Sequence, residues 1–158
     1  NRVMLEASTY TIKNTTGDFE WEVAAALRAP AASGHGTLWI FNDNLEDRKS
    51  SRDGGGNACI RRYNSYGAYS KAPLAAGVTT GSNGRGFGRL SLNARTAIDE
   101  DLAIISKLLA TGQYSHVRYS ADSTGGLGCG IFATTLGQTV KKYIMIGLRK
   151  AVAEGGNL

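Results

Sequence analysis

The chain is short of the residues that hold metals or do acid–base work near neutrality. It has two histidines, His35 and His116, and two cysteines, Cys59 and Cys129, in 158 residues. The cysteines stand far apart without partner histidines, which argues against a zinc site and leaves a disulfide undecided; both read as reduced and small. No His, Cys, Ser constellation offers a nucleophile with its base, and His116 at the start of a strand reads as a packing or surface residue. No apolar run approaches the roughly 18 residues of a membrane span, so a soluble protein without a membrane partner is expected. Neither end shows a basic, then apolar, then small-residue leader, and the expected location is cytoplasmic. Basic residues lead acidic ones, 18 to 13, for a formal charge of +5, which favours anionic ligands. Yet no basic block exists, Arg61-Arg62 being the nearest to one. That argues against nucleic acid and leaves a mononucleotide or dinucleotide as an equal account of the charge. Proline is scarce too, at two residues.

Glycine is abundant instead. Its 21 residues exceed the usual ~7%, and they gather at turns without a repeat. The stretch from Ser120 to Phe132, with Gly125, Gly126, Gly128 and Gly130, follows a β-like run and precedes a helix-like one. Such a turn brings backbone N–H groups close to a phosphate, and a helix N-terminus behind it adds partial positive charge. Gly54-Gly55-Gly56-Asn57 stands in the same relation to an earlier strand and a later helix. Two such loops fit a diphosphate; a plain turn requiring positive φ is the bland alternative.

In chain order, Val3 to Lys13 reads as a strand near a sheet edge, and Asp18 caps a short helix through Leu27 that Pro30 closes. Thr37-Leu38-Trp39-Ile40-Phe41 is a continuous apolar run, as in a strand buried on both faces, ending in Asn42-Asp43-Asn44. The polar segment from Asn44 to Gly54 is expected to be a mobile surface loop that acts as a lid. Asn57 then caps a helix bearing Ile60, Arg61, Arg62 and Tyr63, with the two arginines either solvated or one of them reaching a phosphate. Leu74 to Val78 is a second strand, followed by a loop from Thr79 to Gly88. Ile98, Leu102, Ile105 and Leu109 mark a helix capped by Ser91 or Asn93 and stopped by Gly112. His116 to Ser120 is a strand, and Thr139 to Val152 a final helix with Val140, Ile144, Leu148 and Val152 on one face, before a frayed tail. Strand, loop and helix alternate, which predicts a parallel or mixed sheet layered by helices, with ligands beyond the carboxyl ends of its strands.

The order of these loops resembles the macro domain, the ADP-ribose-binding α/β module, over Thr37 to Val152. The resemblance rests on Ile40-Phe41-Asn42-Asp43-Asn44, Gly54-Gly55-Gly56-Asn57-Ala58, Val78-Thr79-Thr80-Gly81 and Gly128-Cys129-Gly130-Ile131-Phe132. It implies one three-layer α/β domain over 1–158, a mixed sheet with helices on both faces, in which residues 1–36 form an added strand and helix. It further implies an ADP-ribose cleft. The loops of Gly54, Gly55, Gly56 and Asn57 and of Gly126, Gly128, Cys129, Gly130 and Ile131 would grip the phosphates. Asn42 or Asn44 would sit at the distal ribose with Phe132 against it, and Thr79 and Thr80 would line the cleft. Asp122 is a candidate for an adenine amine or ribose hydroxyl, or closes an Asx turn.

The family's asparagine turn has two intervening residues where Asn42 and Asn44 have one, so either can be the match. Hydrolytic members place an acidic residue just after the glycine triplet, where Asn57 and Ala58 stand here. The reading is therefore binding of ADP-ribose or a related nucleotide, a cyclic one included, without turnover and without cofactor or metal. An ADP-ribosyl or ADP-ribose-phosphate hydrolase is the alternative, with Asp43, Asp53 or Asp122 orienting water beside Asn42 or Asn44. A virion or assembly protein that kept the fold and lost the ligand is a third reading, and an oligomer stays open.

Overall fold

The computed structural model describes residues 3–8, 36–121, 126–128 and 135–155, with the backbone alone for 5–8. The helix expected after Asp18, the loop residues Asp122, Cys129, Gly130, Ile131 and Phe132, and the end of the expected tail lie outside the described residues.

The described chain is α/β. Strands β1 (Met4–Ser8), β2 (Gly36–Asn44), β3 (Ala75–Ser82), β4 (Arg85–Gly86) and β5 (Tyr114–Ser120) form one mixed sheet in the order β1-β5-β2-β3-β4. All neighbours are parallel except the β3–β4 hairpin. β1 is at the edge, as its sequence predicts, and β2 is central between β5 and β3. Centrality explains the unbroken apolar run of β2: Leu38 and Ile40 enter one core, Trp39 and Phe41 the other, and all four are buried.

β2 does not end at Phe41. Asn42 still pairs with Val78 and Asp43 with Thr79, and the register shifts only between Asp43 and Asn44. β3 likewise outruns the expected strand. It continues through Thr79 and Thr80 to Ser82 and turns back at Asn83 (φ 51°) and Gly84 (φ 76°), the two consecutive positive-φ residues that a tight hairpin requires. Thr79 and Thr80 are therefore strand residues, not loop residues.

Helices α1 (Leu92–Ala110) and α2 (Gln138–Gly155) cover the face that carries Leu38, Ile40, Val78 and Val117. Ser91 caps α1, its Oγ accepting the Ala94 N–H at 3.2 Å, and Gly112 (φ 76°) follows its end. The predicted stripes hold: Ile98, Ile105 and Leu109 of α1 and Val140, Ile144, Leu148 and Val152 of α2 are buried, with Leu102 half-buried. On the opposite face a 3₁₀ segment (Gly56–Tyr63) packs Ala58, Cys59, Ile60 and Tyr63 against Trp39, Phe41 and Ala75. Asn57 does not cap it. The cap position is Gly55, which has no side chain to offer, and Asn57 lies inside the segment with its side-chain Oδ1 accepting the Asn42 N–H of β2. Among the described residues no helix is long and apolar enough to cross a membrane.

Candidate functional site

β2 and β5 are parallel neighbours, so their carboxyl ends lie at the same edge; one glycine-rich loop follows β5 directly, and the other returns to this edge after the polar segment that leaves β2. Asn42, near the end of β2, joins them. Its backbone N–H donates to Asn57 Oδ1 at 2.8 Å, and its side-chain Nδ2 donates to the Gly128 carbonyl at 2.9 Å. Asn42 and Asn57 are both buried. Gly126-Leu127-Gly128 folds back onto the end of β5: Leu127 bridges to Ala121, and the Gly128 N–H donates to the Ser120 carbonyl at 2.8 Å. A Cβ on Gly128 would lie 3.1 Å from the Ala121 carbonyl carbon, so this loop is close-fitted to the strand.

The three glycines of the other loop differ from one another. A Cβ on Gly54 would stand 2.8 Å from Arg61 Nη1, whereas a Cβ on Gly55 or Gly56 would meet no atom within 4 Å. Gly55 has an extended backbone, φ −77° and ψ 165°, open to any residue, while Gly56 has φ 58°. The loop thus presses inward at Gly54 and faces open space at Gly55 and Gly56.

Beneath it lies a charged floor. Arg61 is fully buried; its Nε and Nη2 donate to Asp43 Oδ1 at 3.1 and 2.8 Å, and its Nη1 donates to the Arg52 carbonyl at 2.9 Å. Asp101 of α1 is the second buried acid, accepting from Thr79 N–H (2.8 Å), Thr79 Oγ1 (2.6 Å) and Arg48 Nη2 (2.9 Å). Thr80 Oγ1 donates to the Asp43 carbonyl at 3.3 Å. Both threonines are fully buried and their hydroxyls face the protein's own acceptors.

Asn44 turns away from the glycine loops. Its Oδ1 accepts the Asp47 N–H at 2.8 Å, an Asx turn that opens the polar segment. That segment, expected as a mobile lid, is fastened: Arg48 pairs with Glu100 at 3.0 Å as well as with Asp101, and Lys49 reaches Glu100 at 3.6 Å. Asp53 pairs with Arg62 at 3.3 Å near the surface, where Arg62 lies 5.1 Å over the Tyr63 ring. The expected solvated arginine pair is thus divided between a half-exposed Arg62 and a buried Arg61.

Asp43, Lys49, Asn64, Tyr66 and Asp101 also border a recess of about 20 Å³, room for a water but not a nucleotide. Among the described residues no group of three or more His, Cys, Asp or Glu is placed to hold a metal ion.

Burial pushes the Asp43 carboxyl above its ordinary 3.8, against the pull of Arg61 and the Asn44 N–H. Burial raises Asp101 likewise, against Thr79 and Arg48. A carboxyl raised in the folded state contributes fully below its unfolded value and loses that contribution as pH climbs through the folded one. Glu100, held low by the Arg48 hydrogen bond and then by Lys49, runs the other way, its contribution lost in acid. Paired urea titrations are therefore expected to show Glu100→Gln less stable than the native chain near neutrality, with the deficit shrinking as pH falls below the ordinary 4.5 of Glu100; a deficit that grows in acid would contradict this.

Sequence reasoning did not find Asp101 or Arg48, and it read Arg61 as solvated or as a phosphate contact, not as the buried partner of Asp43. One signal was present: Asp101 falls three residues after Ile98 and four before Ile105, on the apolar stripe of α1, where an acid must find a partner inside. No protein-family model, curated protein or solved structure matches the chain, so any function assigned to it rests on this geometry.

Proposed function

We propose that this chain binds ADP-ribose or a closely related nucleotide diphosphate at the carboxyl ends of β2 and β5, in a macro-domain-like three-layer fold. The observation that carries the reading is the double hydrogen bond of Asn42, which ties the Gly54–Asn57 loop and the Gly126–Gly128 loop to one point. Two turns held side by side beyond parallel strands stand where such sheets gather anionic ligands, with the approach made on the Gly55–Gly56 side, because the Gly128 N–H is already given to the Ser120 carbonyl. The open space around Gly55 and Gly56 leaves that approach free. Of the two asparagines, Asn42 is the one at the junction of the loops, its Nδ2 given to Gly128 and its Oδ1 facing no donor among the described residues, while the Asn44 Oδ1 is taken by the Asp47 N–H; Asn42 is therefore the residue assigned to the distal ribose. Binding without turnover is the reading kept: of the acids a hydrolase would use, Asp43 is buried against Arg61 and Asp53 is paired with Arg62, and Asp122 lies outside the described residues.

Calorimetric titration with ADP-ribose, followed by chromatography of the recovered nucleotide, tests this. Saturable binding and intact nucleotide are expected. Gly55→Glu is the companion variant, since its backbone is extended and its Cβ meets nothing, so the fold is unaffected. Placing a carboxylate against the diphosphate costs several kcal/mol, an affinity loss of about a hundredfold or more. A converted nucleotide would point to a hydrolase, and equal affinity in Gly55→Glu would remove the loop from the site.

A further inference from the structure

We propose that Arg61 is the positioning residue of the diphosphate loop, its buried guanidinium forming a rigid floor that fixes where Gly55 and Gly56 present their backbone; this rests on the nucleotide reading of that loop. The fork makes contacts in three directions. Two N–H groups fix it to Asp43 on β2, a third holds the Arg52 carbonyl, and Nη1 occupies the space where a Gly54 side chain would be. The Phe41 ring closes the other side, 5.7 Å from the guanidinium carbon. A planar, always charged group held this way has little freedom. It therefore passes the position of the end of β2 directly to the residues before the triplet.

Stability alone does not call for such a pair. A buried Arg–Asp pair can be replaced by apolar residues of similar volume with little loss, and often with a gain. Buried charge kept beneath a loop that faces open space is the kind of local cost that sequences carry at functional sites. Arg61 is fully buried, so it acts on a ligand through the loop and through its field, not by contact.

The test uses the whole chain as Asp43→Leu/Arg61→Met and as Arg61→Lys. The readouts are the urea midpoint, amide hydrogen exchange at Gly54 and Ala58, whose N–H groups bond to the Ala58 and Gly55 carbonyls, and titration with ADP-ribose. The double variant is expected to keep a midpoint close to the native one. Its Gly54 and Ala58 amides should exchange about tenfold faster or more, with affinity for ADP-ribose reduced at least about tenfold. Arg61→Lys keeps the charge without the fork and should show the same faster exchange and weaker binding. Native exchange at Gly54 and Ala58 in either variant overturns the proposal, as does native affinity in Arg61→Lys, which would leave charge alone as the contribution. If the native chain does not bind ADP-ribose, the nucleotide reading fails, and the exchange measurements still decide whether Arg61 sets the loop. If the double variant does not fold, Arg61→Lys carries the same decision.

Discussion

Arg61→Met alone is expected to destabilise the fold by about 3–5 kcal/mol, the cost of breaking a buried ion pair by removing one partner. Asp43 would keep its charge inside the protein with only the Asn44 N–H still donating to Oδ1, and the Arg52 carbonyl would lose its donor. The penalty has a pH signature. With the guanidinium gone, the larger of the forces that lower the Asp43 carboxyl is gone and only the Asn44 N–H still pulls it down, so burial, which already raises it, acts with less opposition. The carboxyl then accepts a proton at higher pH, so the deficit shrinks as pH falls through that raised value. Paired urea titrations of native and Arg61→Met chains at neutral and mildly acidic pH read this directly. A deficit that is constant with pH would mean that lost packing, and not the stranded carboxylate, is the cause.

Asp101→Ala is expected to cost a similar amount, about 3–5 kcal/mol, for a different structural reason. β4 pairs with Gly81 and Ser82 of β3, so among the described residues the Thr79 N–H, farther back along the outer edge of β3, has no neighbouring strand. The Asp101 carboxylate substitutes for one, taking both the amide and the hydroxyl of Thr79, and on its other oxygen the Arg48 guanidinium. Alanine leaves two buried donors without an acceptor and releases the Arg48 anchor of the Leu45–Lys49 turn. Denaturation should show the loss, and limited tryptic cleavage at Arg48 and Lys49 should be faster than in the native chain. Asp101→Asn retains one oxygen for Thr79 but turns an NH₂ towards a donor, so it should recover only part of the stability. Unchanged cleavage in Asp101→Ala would show that Glu100 alone holds the turn.

Most of the scaffold was legible because its signals are local. The apolar run of β2, the Ser91 cap and Gly112 stop of α1, and the stripes of both helices each depend on residues a few positions apart. The end of β3 was misread although Asn83-Gly84 is a strong short-range hairpin signal; Gly81, Gly86 and Gly88 around it looked like an extended loop. The helix after the triplet was read in the right place but with the wrong cap, because Asn57 is engaged by the backbone of β2, fifteen positions away, and no local rule contains that partner. The charged floor was the least visible. Arg61 and Asp43 are eighteen positions apart, and Arg48 and Asp101 fifty-three, so either arginine reads locally as an ordinary surface charge. Only the fold, by making β2 central and laying the 3₁₀ segment across it, turns them inward. In the candidate site, the presence of two glycine loops at strand ends was readable, while the residue that joins them was one of two equivalent asparagines until β2 was seen to run on to Asn44.

The central claim is that these two loops form a single anion-binding site, and backbone amide chemical shifts recorded during an ADP-ribose titration test it most directly. Gly55, Gly56 and Gly128 should shift together, along one saturation curve, with the Asn42 side-chain amide moving alongside them. Shifts confined to one loop, or a titration that leaves all of these amides unmoved, would contradict the account and leave the glycines as turns of the scaffold.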